Sequence, residues 1–231
     1  MVENNNICDC KQCDFRLVVF DNLKNPEINL VCDAKKEYNY TKGQVISRQN
    51  DEIKDFYYLK SGLVKIYRND KHGKEQIISI AKPYEFVSLL SVFSEKQYNY
   101  SIAAIEDSTI CAIDLNVIID IIRNNGLFGL RLMERMSKNA DKIILTNIML
   151  NKKNLRGRIA YILLMFAEEI YNSMSFDLPL SRKEIAQLIF MTTENVIRIL
   201  SEFRKHKIIK INGKTIEIIE PERLRQISEH G

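Results

Sequence analysis

The chain has 231 residues, 45% of them hydrophobic and 28% charged, with a formal net charge of +4. That length can bury one large core or two smaller ones, and that composition excludes a disordered chain. No apolar run approaches the roughly 18 residues of a membrane span, and the start, MVENNNICDC, has no apolar signal core, which predicts a soluble, cytoplasmic protein without a membrane partner.

Residues 1–20 form a tail that holds Cys8, Cys10 and Cys13, three of the five cysteines. In a cytosolic chain these are not expected to form a disulfide framework. Residues 21–115 are predicted to be a sensor domain, opened by a short helix over 21–36. From Lys36 to Ile113 the apolar pattern has period two, in EYNYTKG, FYYLKSGLVKIYRND, KEQIISIAK and YSIAAIEDSTICAID. Turn residues punctuate it at Thr41-Lys42-Gly43, Arg48 to Asp51, Ser61-Gly62 and Asn69 to Gly73. Many short strands at close spacing predict a β-barrel, roll or sandwich.

Helical periodicity takes over at Asn116 and runs to Asn151 without a proline, so 116–151 is predicted as one long dimerisation helix. Met136, Ala140, Ile143, Asn147, Leu150 and Asn154 recur at alternating steps of four and three, the seam of a coiled coil. A helix packed on its own roll gives the same pattern. Leu132, Met133, Ile144, Leu145, Ile148 and Met149 lie on other faces, however, so one face can cover the roll and another a second subunit. Polar Asn147 in the seam lowers stability and fixes register. Lys152-Lys153-Asn154 reads as a hinge before the helix Leu155–Tyr171.

Residues 152–231 read as a DNA-binding domain. Ser181 and Glu184 form a capping box ahead of Ile185, Leu188 and Ile189, which recur at helical spacing. Phe190 and Met191 fill a short turn. Thr192 caps a second helix whose Val196, Ile199, Leu200 and Phe203 form the apolar face. Its other face offers Thr193, Glu194, Ile197, Arg198, Ser201, Arg204 and Lys205. This is a helix-turn-helix. IIKINGKTIEII then reads as a hairpin wing with a type I′ turn at Asn212-Gly213. From Arg198 to Lys214 there are six basic residues, Lys207 and Lys214 among them, against the single acid Glu202. From Lys152 onward the chain has 14 Lys and Arg against 10 Asp and Glu, so the whole excess of +4 lies in this part. That placement suits a polyanion such as double-stranded DNA. A signalling module whose winged helix contacts protein would share the shape. There is no Gly-rich phosphate loop, HExxH helix or nucleophile elbow to support an enzyme.

An α+β chain built as β-roll, long seam helix and winged helix-turn-helix resembles the Crp/Fnr family of bacterial transcription regulators. The resemblance covers nearly the whole chain and is carried best by TKGQVISRQNDEIKDFYYLKSGLVKIY, with Gly43 and Gly62, and by LSRKEIAQLIFMTTENVIRILSEFRKHKII. It implies a cyclic-nucleotide-binding-type roll, a homodimer on a near-palindromic DNA site, and RNA polymerase as a partner. It also implies that Glu194 and Arg198, four residues apart, read base pairs. A carboxylate can accept from cytosine N4 and a guanidinium can grip guanine O6 and N7. Relatives usually carry glycine where this chain has Phe190.

The resemblance bears on the sensed signal too. Cyclic-AMP-binding members use a Gly-Glu pair and an Arg-Ser pair. Here Ser88-Leu89 and Tyr98-Asn99 fall at those places, so the acid and the cation are missing and cyclic nucleotide binding is not expected. Fnr-like members hold an oxygen-labile [4Fe–4S] cluster on three N-terminal cysteines and one near the end of the roll. Cys10, Cys13 and Cys111 match that layout, with Cys8 as a substitute for the third, whose family place falls near Val19. A cluster, zinc or free thiols all remain open for this set. Cys32 reads as core. Haem is a further option, although His72, His206 and His230 are poor axial ligands by position.

Overall fold

In the computed structural model, which describes residues 2–3 and 22–231, the chain divides into two compact units. One ends at Ile143 and the other is Ile144–Gly231.

The first unit is a roll of two four-stranded sheets. The strands are β1 (Val2–Glu3), β2 (Lys35–Tyr40), β3 (Val45–Ser47), β4 (Asp55–Ser61), β5 (Val64–Asn69), β6 (Glu75–Ala81), β7 (Ser101–Ala104) and β8 (Ser108–Asp114). One sheet runs β1-β2-β8-β4 and the other β3-β7-β5-β6. Every pairing is antiparallel. Helix α1 (Asn25–Ala34) precedes β2, and α2 (Leu115–Asn124) and α3 (Gly126–Lys152) follow β8. Gly62, at φ +82°, makes the turn between β4 and β5, where an added Cβ would lie 2.3 Å from the Asp107 carbonyl oxygen.

Strand β8 is buried on both faces because it separates two cores. Ile110 faces the roll interior with Tyr40, Leu59, Val64 and Ile102. Cys111 and Ile113, on the alternate face, join Phe56, Tyr58 and Phe86. That second core also takes Ile28 and Val31 of α1, Ile118 and Ile121 of α2, and Phe128 and Leu132 of α3.

The predicted single helix over 116–151 is two helices, broken at Asn125 (φ −131°). Asn125 donates to the Asn22 carbonyl and the Glu27 carboxylate, and its own Oδ1 accepts from Phe128 N at 3.2 Å. It thus ties down α1 while capping the start of α3. The predicted seam changes as well. Ala140, Ile143 and Asn147 are half-buried, and half-buried Met136 packs against the second core. Leu150 is buried, and Asn154 lies beyond the end of α3, so neither belongs to a surface stripe on that helix. Leu127, Leu130, Met133, Ile144, Leu145 and Ile148 are the large apolar side chains left exposed along α3.

The second unit holds α4 (Leu155–Leu164), a π-helical turn (Met165–Ile170), β9 (Ser175–Asp177), α5 (Arg182–Leu188), α6 (Thr193–Lys205), β10 (Ile209–Asn212), β11 (Thr215–Ile218) and α7 (Pro221–His230). The predicted helix 155–171 therefore widens after Leu164. Asn154 caps α4, its side chain accepting from Arg156 N at 2.9 Å and Gly157 N at 3.0 Å. The core is Ile159, Phe166, Ile185, Val196, Ile199, Phe203, Ile208, Ile216 and Leu224, each at most 1% exposed. Strands β10, β11 and β9 form a three-stranded antiparallel wing, with β9 the strand that the sequence pattern did not reveal. Its hairpin turn is Gly213-Lys214, not the predicted Asn212-Gly213. Gly213 at φ +60° is the first central residue, the place of glycine in a type II′ turn.

Candidate nucleic-acid interface

The helix pair forms for the reasons visible in its residues. Ser181 Oγ accepts from Glu184 N at 3.2 Å, and Ser181 N donates to Glu184 Oε2 at 2.9 Å, completing the capping box. Thr192 Oγ1 accepts from Asn195 N at 3.3 Å and starts α6. Val196, Ile199, Leu200 and Phe203 turn inward and are at most 2% exposed.

The opposite face is open. Glu194, Ile197, Arg198, Ser201, Arg204 and Lys205 are exposed and Thr193 is half-buried. Ile197, an apolar residue on this polar face, is 50% exposed. Lys207, just past α6, and Lys214, in the wing turn, are exposed as well. Arg198 does not pair with Glu194. Its guanidinium donates instead to Asn195 Oδ1 at 3.3 Å. The Glu194 carboxyl lies below the ordinary carboxylate range because its own backbone amide and the Thr192 hydroxyl bond to it. It is therefore an ionised acceptor beside a guanidinium donor, four residues apart on one open helix face.

One contributor was missed from sequence. Arg156 of α4 binds Glu202 at 2.8 Å and takes up the charge of the lone acid between residues 198 and 214. Lys210 is partly neutralised by Glu217 at 3.5 Å, its cross-strand partner on the wing. The turn before α6 carries Phe190 at φ +57°, with the side chain 45% exposed. A non-glycine residue there costs about 1–2 kcal/mol.

In the roll, the residues at the places of a nucleotide-binding pair serve the fold. Ser88 Oγ accepts from Tyr57 N at 3.0 Å, and Leu89 is core. Tyr98 stacks on Tyr57 with centroids 6.1 Å apart and donates its hydroxyl to the Asp55 carbonyl. Asn99 N donates to Ser91 Oγ at 3.3 Å. Burial, with nearby Asp55, pushes the Tyr57 and Tyr98 phenols well above their usual range, so both stay neutral. A cleft of about 200 Å³ lies between the loop after β6 and α3, lined by Tyr84, Glu85, Phe86, Leu89, Arg135 and Lys142 among others.

Cys8, Cys10 and Cys13 lie outside the described residues. Cys111 is 3% exposed, opposite Glu37 on β2, with Sγ 3.9 Å from the Glu37 carboxylate. Burial would raise the Glu37 pKa, but Lys35 and Lys60, each 3.0 Å away, together hold it below the ordinary value. Cys32 packs against the same core as Cys111, as expected. Among the described residues no group of three or more His, Cys, Asp or Glu is placed to hold a metal. His72, His206 and His230 are all exposed. No helix of the described residues is long and apolar enough to cross a membrane.

Two family models match the chain: the cyclic nucleotide-binding domain over residues 37–125 and the Crp-like helix-turn-helix domain over 157–227. The fumarate and nitrate reduction regulatory protein of Yersinia pestis is 29% identical over 209 residues, covering 87% of this chain and 81% of that protein. The transcriptional activator Anr of Pseudomonas protegens is 26% identical over 222 residues, covering 94% and 91%. Among solved structures, FixK2 of Bradyrhizobium japonicum superposes with a TM-score of 0.74 at 20% identity, over 84% of this chain and 96% of that one.

Proposed function

This chain belongs to the Crp/Fnr family of transcription regulators, on its Fnr-like side, and from that premise we propose how it reads DNA and what it senses. It is a DNA-binding transcription regulator and not an enzyme. We propose that it works in the cytoplasm as a homodimer on a near-palindromic operator, with α6 of each protomer in a major groove and RNA polymerase as the downstream partner. The observation that carries this reading is the open pair Glu194 and Arg198 on a helix whose other face is sealed in the core. Arg198 bonds a guanine edge and Glu194 a cytosine amine, each contact discriminating by about 1–3 kcal/mol. Thr193, Ile197 and Ser201 shape the neighbouring positions, and Ile197 suits a thymine methyl. Arg204, Lys205, Lys207 and Lys214 bind phosphates. The test is to select duplexes from a random pool with the wild-type protein, then titrate Arg198→Ala on the winner. Loss of preference with retained background binding is expected. Unchanged specific binding would overturn the assignment.

For the signal, the reading is a redox or gas input through the roll in place of cyclic AMP. Two observations support it. Ser88 and Tyr98 spend their side-chain polar groups on the fold, Leu89 is core, and none of Ser88, Leu89, Tyr98 and Asn99 is a cation for a cyclic phosphate. The relatives from Yersinia pestis and Escherichia coli are named for fumarate and nitrate reduction. The donor set Cys8, Cys10, Cys13 and Cys111 fits a [4Fe–4S] cluster, which requires thiolates. Bound there, the cluster supplies oxygen-sensitive redox chemistry. The chain's part is to fix Cys111 on a central strand, where its Sγ lies 3.9 Å from a Glu37 carboxylate that Lys35 and Lys60 neutralise. Anaerobically purified protein should contain iron and sulfide and show a visible band that bleaches in air. A colourless, iron-free anaerobic preparation would overturn this part and leave the DNA reading standing.

A further inference from the structure

The turn between α5 and α6 is tied by a single side chain to the segment that follows α3. Arg158, half-buried on α4, donates from Nη1 to the Ile189 carbonyl at 3.1 Å and to the Phe190 carbonyl at 3.2 Å. Its Nε donates to the Lys153 carbonyl at 3.1 Å. Lys153 N in turn bonds to the Leu150 carbonyl, on the last turn of α3. The two turn carbonyls stand at the C-terminal end of α5, where a cation is favoured. One of them belongs to Phe190, which holds φ +57° without the freedom of glycine.

We propose that Arg158 is a positioning residue for DNA reading: it holds the Phe190 turn in its left-handed conformation and locks α6 to the end of α3. The guanidinium suits this task because its donors diverge in a plane and reach three carbonyls at once, which a lysine ammonium on a flexible stem does not reproduce. A left-handed phenylalanine relaxes toward an ordinary φ when its carbonyl loses that partner, and α6 tilts with it. The inference deepens the operator reading above and rests on it.

Two measurements on the full-length protein test it, with Phe190→Gly as the control background. Hydrogen exchange of the amides at residues 190–192 in the free protein reads the turn without DNA. Affinity for the duplex selected by the wild type reads the consequence. Arg158→Ala removes all three bonds and should speed that exchange and weaken operator binding, each by about tenfold, the size of effect that one net charge-assisted hydrogen bond carries. Background binding to random duplex should change by less than about twofold, because Arg158 touches no phosphate in this assignment. Arg158→Lys should behave like Arg158→Ala. In the Phe190→Gly background, where the turn needs no clamp, Arg158→Ala should cost less than about threefold. Thermal unfolding of each variant identifies any that has not folded, and the lysine variant then carries the comparison. Equal losses in both backgrounds, or full function of Arg158→Lys, would overturn the proposal. A wild type that prefers no duplex overturns the operator reading and the positioning role with it, while exchange still reports whether Arg158 holds the turn.

Discussion

Arg156 meets Glu202 at 2.8 Å and sets its guanidinium 5.8 Å from the centre of the Phe203 ring. This α4 residue therefore clears the recognition helix of its one stray negative charge. Arg156→Ala should lower stability by about 0.5–1 kcal/mol, since the pair is partly exposed. It should also weaken binding to every duplex, because a cation is lost and Glu202 is left uncompensated on the helix proposed to meet DNA. Glu202→Ala should bind duplex as well as wild type or better. Mobility-shift titrations at several salt concentrations measure both, and an Arg156→Ala protein with unchanged affinity would refute this account.

Lys207 lets stability and DNA affinity be moved in opposite directions. It holds φ +58° just after α6, a place that glycine occupies without strain. Lys207→Gly should raise stability by about 0.5–1 kcal/mol in thermal or urea unfolding. The same change should weaken binding to any duplex and flatten the salt slope by about 0.9, one phosphate contact. If affinity and slope were unchanged, Lys207 would not touch the backbone.

Gly62 is expected to tolerate no side chain. Its φ of +82° is strained for any other residue, and the added carbon would collide with backbone atoms of Asp107 and Ser108. Gly62→Ala should destabilise the first unit by more than about 2 kcal/mol. Urea unfolding followed by tyrosine fluorescence would detect it.

Alkaline pH should loosen the roll. The Tyr40 hydroxyl is buried without a hydrogen-bond partner, and burial first, then Tyr38 and Asp55, raise its pKa from 10.0 to about 12. A raised folded-state pKa means that the stability the neutral phenol contributes is complete below about pH 10. It is lost as pH rises from there through about 12. Tyr40→Phe should flatten this loss and add about 1 kcal/mol at neutral pH, since it removes an unsatisfied buried group. Unfolding midpoints compared at neutral pH and above pH 10 provide the check.

The proposed homodimer makes a prediction about α3. Ile144 is 55% exposed, so Ile144→Asp should leave the folded monomer intact. In a dimer sealed along this helix it would bury a charge, and sedimentation should then find monomer where the wild type is dimeric. An unshifted dimer would place the interface elsewhere.

The recognition helix was legible because its information is local. Caps at Ser181 and Thr192 and apolar residues at helical spacing decide it within a few turns. The roll was legible as a class, through Gly43, Gly62 and Gly73 at turns with positive φ. What escaped depends on distant partners. The break at Asn125 is fixed by Asn22 and Glu27, about 100 residues earlier in the chain. Leu150 and Asn154 keep the seam spacing, yet one is buried and the other caps α4. The wing turn was misplaced by one residue because Asn-Gly favours type I′ locally, while the β10–β11 register puts Gly213 first in the loop. Arg156 and Arg158 carry no pattern at all. Their roles exist only once α4 lies against α6 and the turn before it.

Strand β8 sends neighbouring residues to opposite sides, Ile110 to the roll interior and Cys111 to the helical layer. Phe128 and Leu132, near the beginning of α3, share that layer with Cys111. The one free thiol of this strand thus touches the layer that carries the beginning of α3, and the strand's own backbone separates it from the barrel's inner filling.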